Sequence, residues 1–246
     1  MHEASQHHES SFVTLTYDDE HLPKYGSLSS DSTNGDTWQQ PKDKHHVSKF
    51  IKRLRHETPN LRYYLVGEYG DKSNRAHYHA CIFGHAFTKD RVLIRTQPSW
   101  LWTSKRLTEV WGLGMVSVGA LTFTTAQYVT NYVTKKLTAD RRYVRTDTTT
   151  GELINLVQPK AYMSRRPAIG RTWLDSYGDR VYDHDHVVIN GKPSKPPKYY
   201  DRWRGEEKMK KVKEKRRKEA KKLTAEQNHA RAQNAHARAK IKTSSI

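Results

Sequence analysis

Residues 65–84, LVGEYGDKSNRAHYHACIFG, decide the fold that this sequence predicts. Two runs rich in apolar, aromatic and β-branched residues flank the segment GDKSNR, whose composition is typical of a turn. We therefore predict two strands joined by a tight connection. Alternate side chains of a strand point to the same face, so His77 and His79 project together while Tyr78 projects to the opposite face.

A carboxylate joins the two histidines if the predicted strands pair. Glu68 lies in the first strand, and antiparallel pairing through a short connection would bring it beside both imidazoles. Two imidazoles and one carboxylate on rigid strands form a metal site with positions open for water or substrate. An alternative stays open, because His-x-His occurs often by chance and both histidines are then ordinary polar-face residues.

A second His-x-His provides a comparison within the same chain. His184 and His186 lie in YDHDHVVIN, a strand-like setting with Asp183 and Asp185 nearby. This pair lacks an upstream acidic strand with a turn. The pair at His77 is the better metal candidate, but it needs independent support.

A predicted helix provides that support. In QYVTNYVTKKL, Tyr128 and Tyr132 are i and i+4 neighbours, Lys136 continues their row and Lys135 lies beside it. The adjacent apolar strip consists of Ala126, Val129, Val133 and Leu137. A free phenol has a pKa of about 10, and a neighbouring ammonium group or a metal-polarised phosphate would make it a usable nucleophile. The alternative is an ordinary amphipathic helix with packed aromatic rings.

The order of the remaining elements predicts an α+β fold. Strands are expected in SFVTLTYD and MVSVGAL, and helices in HHVSKFIKRLRHE and at residues 104–111, before GLG. Strands and helices interleaved with hairpin-like links favour a central antiparallel sheet with helices packed on it.

Length, charge and cysteine usage bound the class of protein. The chain has 246 residues and a formal net charge of +18, which predicts a polyanionic partner, nucleic acid before an anionic membrane surface. We find no long apolar span, signal peptide or lipidation motif. The single cysteine, Cys81, excludes an internal disulfide and suits a cytoplasm, and we interpret it as a buried, inert thiol.

Composition changes along the chain predict three segments. Residues 1–190 form the main domain, and residues 191–204 form a Pro/Lys-rich linker whose three prolines break both helix and ladder. Residues 205–246 form a basic tail, either an exposed helix or a disordered arm. From residue 201 onward there are 16 Lys or Arg against 6 Asp or Glu.

Several basic and aromatic side chains are candidates for holding single-stranded DNA. Trp100 and Trp102 are candidates for stacking on bases. The candidates for phosphate contacts are Lys49, Lys52, Arg53, Arg165 and Arg166. Each alone is more commonly a solvated charge or a core ring, and the two arginines of MSRRP are the strongest candidates.

Together the His-hydrophobic-His pair and the Tyr-x-x-Lys helix resemble the HUH endonucleases that start rolling-circle replication. The segments FVTLTYDDEHLP, GEYGDKSNRAHYHACIFG, YVTNYVTKK, MSRRPAIGRTW and HVVINGKPSKPPKYYDRW occur in that order. They are similar to the replication initiators of gokushovirus-type Microviridae, which are small single-stranded DNA phages. The resemblance covers residues 1–203 and leaves the basic tail outside.

The resemblance implies an HUH endonuclease-like fold and a role for each matching residue. The implied metal ligands are His77, His79 and Glu68; the implied nucleophiles are Tyr132 and Tyr128; the implied phosphate-steadying residues are Lys135 and Lys136. The implied metal is Mg²⁺ or Mn²⁺, although imidazole ligands alone would also suit zinc. The implied partners are single-stranded or origin DNA and a host replication helicase or polymerase, in the cytoplasm of a bacterial host.

One departure from the family and two other functions stay open. Related initiators often carry a cysteine-bearing segment upstream, which we expect to be absent or truncated before Met1. The first function is site-specific nicking and rejoining of single-stranded DNA through a 5′-phosphotyrosine. The others are a metal-dependent nuclease or phosphodiesterase that activates water, and a non-catalytic basic nucleic-acid-binding protein.

Overall fold

The structure is a computed structural model that describes residues 1–22, 40–70, 75–138, 144–146, 151, 153–155, 159–189, 191–221 and 224–244. The chain divides into two compact units, Met1–Thr172 and Trp173–Ile246. Each unit is described by itself.

The first unit is built from short and long strands interleaved with helices. Its strands are β1 (Ser10–Thr16), β2 (Arg62–Tyr69), β3 (Ala76–Phe83), β4 (Arg91–Arg95), β5 (Leu101–Ser104), β6 (Val116–Ala120), β7 (Val144–Thr146), β8 (Leu153–Asn155) and β9 (Ala161–Met163). Its helices are a 3₁₀ turn (Ala4–Gln6), α1 (Gln40–Glu57), α2 (Lys105–Trp111) and α3 (Phe123–Thr138).

Seven of these strands form one antiparallel sheet in the order β4-β5-β6-β1-β3-β2-β9, and β7 and β8 form a separate hairpin. The pairing of β2 with β3 places Glu68 directly opposite His77 and Val66 directly opposite His79. The N–H of Gly70 donates to the carbonyl of Arg75 at 3.0 Å, which ties together the two ends of the link. The predicted α+β fold with a central antiparallel sheet is confirmed.

One face of the sheet carries the larger apolar core. Leu15 of β1 and Ile82 of β3 are fully buried there against Phe50 of α1 and Trp111 of α2. Complete burial of each such side chain contributes about 1.5–3 kcal/mol before the entropy of ordering is subtracted. The i, i+3, i+4 spacing predicted for α1 is confirmed, since Val47, Phe50, Ile51 and Leu54 are all buried.

The opposite face of the sheet receives α3. Val129, fully buried, packs in a cluster with Val66, Cys81 and Phe83. The residues between these positions on β2 and β3 belong to the α1 face. Alternation along the strands therefore sends the histidine pair toward α3, as predicted, and Tyr78 toward α1.

The ends of α2 show why the sequence places a helix there. The Ser104 hydroxyl accepts a hydrogen bond from the N–H of Leu107 at 3.0 Å, and Gly112 ends the helix with a φ of 65° in the left-handed region. Gly114 follows with a φ of 140°, and a Cβ on it would lie 2.3 Å from the backbone nitrogen of Asp18. The glycines of GLG thus end one helix and let two backbone segments approach closely.

The second unit is a small helical assembly with one hairpin. Its elements are α4 (Arg171–His184), β10 (Val187–Ile189), β11 (Lys192–Ser194), α5 (Lys198–Arg204), α6 (Glu206–Lys221) and α7 (Ala225–Ser244). Leu174, Val181 and Tyr200 pack around Met209, which is 1% exposed. Arg216 bonds both Asp185 and Asp201, and these ion pairs tie α6 to the preceding elements.

The segment predicted as a linker has regular structure. Pro193 lies within the short strand β11, and Pro197 is the residue that precedes the first turn of α5. The expectation that its prolines exclude helix and ladder is wrong here, because an edge strand and a helix start both tolerate proline. The tail is helical in α6 and α7, one of its two predicted alternatives.

No helix in the described part of the chain is long and apolar enough to cross a membrane.

Candidate metal centre

The three predicted ligands meet on the α3 face of the sheet. Nε2 of His79 lies 3.1 Å from Oε2 of Glu68, and Nε2 of His77 lies 3.7 Å from the same oxygen. One donor atom from each of the three residues lies within 4.8 Å of the other two. Among the described residues this is the one such group of three, so His184 and His186 form no second centre there.

The other ring nitrogens of both histidines are held by hydrogen bonds. Nδ1 of His77 donates to the carbonyl of Arg75 at 3.0 Å, which fixes the proton on that nitrogen. Nδ1 of His79 lies 3.0 Å from the hydroxyl of Thr14, on the neighbouring strand β1. Such outer partners orient imidazole ligands and set which nitrogen faces a metal.

The ionisation of the group suits a cation. Burial alone would raise the pKa of Glu68, but hydrogen bonds and charge from His77 and His79 outweigh it and lower that pKa to about 2. Burial lowers the pKa of His79, against the opposing effect of Glu68. With its δ proton donated to Arg75, a neutral His77 turns a lone pair toward an ionised carboxylate.

Two electron-rich groups facing each other are stabilised by a positive ion between them. The donor set of two imidazole nitrogens and one carboxylate, on adjacent rigid strands, therefore fits a divalent metal. The structure does not identify which metal binds.

Tyr128 brings α3 into contact with this group. Its hydroxyl donates to Oε2 of Glu68 at 3.2 Å, and its ring meets the ring of His79 edge to face at 5.1 Å between centroids. The helix predicted to carry the phenols thus lies on the same side of the sheet as the imidazoles. Tyr132, Lys135 and Lys136 lie on the later turns of α3, and their side chains fall outside the described part of the structure.

Comparison with known proteins was made on this geometry. Residues 10–137 match the family model of the replication-associated protein ORF2. The chain belongs to this family.

Three relatives illustrate the spread of the ORF2 family around this member. It is 34% identical over 218 residues to the replication-associated protein ORF2 of Spiroplasma virus 4, a match that covers 82% of this chain and 62% of the relative. It is 30% identical to the replication-associated protein VP4 of Bdellovibrio phage phiMH2K, over 82% of this chain and 60% of the relative. It is also 30% identical to the replication-associated protein ORF4 of Chlamydia phage 1, over 80% of this chain and 46% of the relative.

This member of the ORF2 family spans about three fifths of the length of the first two relatives. No solved structure matches it. The predicted resemblance to replication proteins of small phages is confirmed by these matches.

The predicted DNA contacts do not all lie near the metal group of this family member. Lys49, Lys52 and Arg53 belong to α1, on the opposite face of the sheet. Arg53 donates to the carbonyl of Trp111 at 2.8 Å, so this guanidinium also closes the end of α2. Arg165 and Arg166 are exposed in the segment after β9.

The stacking candidates lie on the hairpin of β4 and β5 at the sheet edge. Trp100 is 60% exposed, and its ring lies 5.9 Å from that of Trp102, centroid to centroid. The guanidinium of Arg91 lies over the Trp102 ring at 4.5 Å.

Other sequence interpretations of this member are settled by local contacts. Cys81 is buried, and burial raises the pKa of its thiol to about 12, as expected for an inert cysteine. Asp18 accepts hydrogen bonds from the backbone and ring of His21, a turn contact as predicted. Thr14 was missed, because its role depends on the register of β1 against β3, which a single sequence does not reveal.

Proposed function

We propose that this chain nicks and rejoins single-stranded DNA at a specific site to initiate rolling-circle replication. The observation that carries the proposal is the hydrogen bond from Tyr128 to Glu68, because it puts a phenol-bearing helix against a ligand set suited to a divalent cation. Membership of a family of phage replication-associated proteins supports the same activity.

Glu68, His77 and His79 would hold Mg²⁺ or Mn²⁺ in the proposed enzyme. Bound there, the ion would supply charge neutralisation at the non-bridging oxygens of the scissile phosphate. Thr14 and the carbonyl of Arg75 would keep the two imidazoles oriented toward this position.

Tyr132 is the proposed first nucleophile, because Tyr132 and Lys135 together satisfy the Tyr-x-x-Lys pattern. Its phenolic oxygen, having lost its proton, attacks phosphorus in line with the departing 3′ oxygen. The new bond joins phosphorus to the phenol, and the broken bond releases a 3′ hydroxyl that takes up a proton. Lys135 and Lys136 would steady the charge of the phosphate during this exchange.

One phosphate ester replaces another in this reaction, so the linkage can be resealed without ATP. Tyr128 would give the enzyme a second phenol on the adjacent turn of α3. A second cleavage could then occur after one replication round while the first tyrosine still holds the old 5′ end. The bacterial cytoplasm, with single-stranded or origin DNA and a host helicase or polymerase, is the proposed setting.

A gel assay for a protein–DNA adduct tests the proposal. A 3′-labelled single-stranded oligonucleotide carrying the cleavage site is incubated with the full chain and Mn²⁺, then denatured and separated. We expect a covalent band that disappears in the double variant Tyr128→Phe with Tyr132→Phe and persists in Tyr177→Phe, an exposed tyrosine of the second unit.

Each other result names a different function. Metal-dependent cleavage that survives the double substitution indicates a nuclease that activates water. Binding without cleavage in the wild-type chain indicates a non-catalytic DNA-binding protein. Either result overturns the nickase.

A further inference from the structure

A groove of about 590 Å³ lies on the face of the sheet opposite the candidate metal centre. It runs between α1 and the edge formed by β2 and β9. Ile51 and Tyr63 contribute to its apolar side, and both belong to the α1 face of the sheet.

The side chains around this groove are cationic and aromatic. Lys52, Arg55 and Arg165 line it, and none of its ten lining residues is acidic. Tyr162 and Met163 provide flat or polarisable apolar surface beside these charges. Cations next to aromatic surface are the two features that hold a nucleotide of a single strand, one on the phosphate and one on the base.

The wall that carries Arg165 is anchored to the sheet. Ser164 is buried, its N–H donates to the carbonyl of Tyr63 at 3.0 Å, and its hydroxyl accepts from the N–H of Tyr63 at 3.1 Å. Arg55 also donates to the Ser164 hydroxyl at 3.3 Å, and its guanidinium lies 5.6 Å from the centroid of the Tyr63 ring.

The groove therefore has one fixed cation and two that face solvent. Arg55 is committed to holding the wall, whereas Lys52 and Arg165 are exposed at the rim. These two residues are far apart in sequence, and the fold brings them to one groove.

We propose that this groove is a second binding site for single-stranded DNA, taking a phosphate between Lys52 and Arg165 and a base against Tyr162 and Met163. The inference rests on the proposed function in one respect, that the substrate is single-stranded DNA. Glu68 lies on β2, and β9 is the next strand, about 4.8 Å away. A DNA strand leaving the metal face thus has one strand to cross before it turns around the sheet edge.

Fluorescence anisotropy with labelled oligothymidylates of about 6 and about 20 nucleotides tests the groove. All proteins carry Tyr128→Phe and Tyr132→Phe, so that binding is measured without cleavage. We expect Lys52→Ala with Arg165→Ala to weaken binding of the longer strand about tenfold or more, and to reduce the salt slope by about 1.4, or 0.7 for each lost phosphate contact. Binding of the shorter strand, which cannot span both faces, changes by less than about twofold.

A matched control and a second variant separate this site from general charge. Lys89→Ala with Lys105→Ala removes two exposed cations that do not line the groove, and we expect a loss below about threefold. Tyr162→Leu should weaken binding of the longer strand about fivefold or more without changing the salt slope, since stacking carries no charge. Circular dichroism melting checks that each variant is folded.

Three results would overturn the groove. Equal losses in the groove and control variants would indicate charge alone. Tyr162→Leu with unchanged affinity in a folded protein would remove the base contact. Polyglutamate that competes as well as DNA of equal charge would assign the groove to an acidic peptide. Because binding is measured in a non-cleaving background, a failure of the adduct assay leaves this test intact, and failure here leaves the adduct assay intact.

Discussion

Glu68 is the residue on which the candidate metal centre depends most, because both imidazoles and the Tyr128 phenol converge on one of its oxygens. The sequence predicted this carboxylate and both histidines from strand parity and one turn. It could not predict the outer partners, since Thr14 is brought in by a neighbour in the sheet that is distant in sequence.

Stability should report the low pKa of Glu68. That pKa lies near 2, below its ordinary value of 4.5, so the contribution of the carboxylate is complete above pH 4.5 and disappears as the pH falls toward 2. We expect Glu68→Gln to lower the free energy of unfolding at pH 7 by on the order of 1–3 kcal/mol, with the deficit shrinking as the pH falls below 4.5.

Urea titrations of the metal-free protein at pH 7, 4 and 3 measure this deficit. Glu20→Gln, which removes an exposed carboxylate, is the control. A deficit for Glu68→Gln that grows on acidification would contradict the expectation.

Thr14 should matter for metal affinity more than for folding. Thr14→Val keeps the shape of the side chain but removes the hydroxyl that contacts Nδ1 of His79. We expect Mn²⁺ affinity, measured by isothermal titration calorimetry, to fall about 10- to 100-fold. Thr103→Val on β5 should leave it unchanged, and equal affinities for all three proteins would show that the contact does not orient the ligand.

At the scale of elements, long strands and amphipathic helices were predictable and short edge strands were not. β1, β2, β3 and α3 carry clear periodicity, whereas all five residues of β4 are exposed and show no alternation. β9 has three residues and exists because β2 provides a partner. Such strands are defined by tertiary pairing, which local sequence does not encode.

The docking of α3 should depend on its one fully buried valine. Val129→Ala removes two methyl groups from the cluster with Val66, Cys81 and Phe83, and we expect a loss of about 2 kcal/mol in the free energy of unfolding. Val188→Ala, at a side chain 61% exposed, should cost less than about 0.5 kcal/mol. Chemical denaturation measures both, and similar costs would mean that α3 is not packed as described.

Gly114 should tolerate no side chain. Alanine there would place Cβ 2.3 Å from Asp18 N and 2.4 Å from Thr16 O, and we expect destabilisation of about 3 kcal/mol or more, or failure to fold. Gly151→Ala is the matched control, since that glycine also has positive φ but open space around it, and its cost should be about 1 kcal/mol. Equal thermal midpoints for the two variants would contradict the close approach.

At the scale of the whole molecule, the excess of positive charge was readable from composition, but its placement was not. The described side chains of α7 from Ala225 to residue 237 are all exposed, so this helix contributes charge without a core of its own. By contrast, α6 buries Met209 in the second unit, a role that its highly charged sequence did not reveal.

Removal of α7 should therefore weaken DNA binding without unfolding the protein. Truncation before Ala225 deletes four Lys or Arg residues, and we expect an unchanged thermal midpoint with a salt slope for single-stranded DNA that is shallower by up to about 3. A full-length variant with these four residues changed to Gln should behave in the same way. A large fall in the melting temperature on truncation would show that the helix is structurally required.

The direct pairing of Glu68 with His77 has a practical consequence for protein engineering. Extra residues placed between Gly70 and Arg75 leave both strands in phase, so that link is a suitable position for a fluorophore or affinity tag. A single residue inserted inside β2 upstream of Glu68, with the strand ends held, would rotate the carboxylate to the α1 side and leave the imidazoles without it.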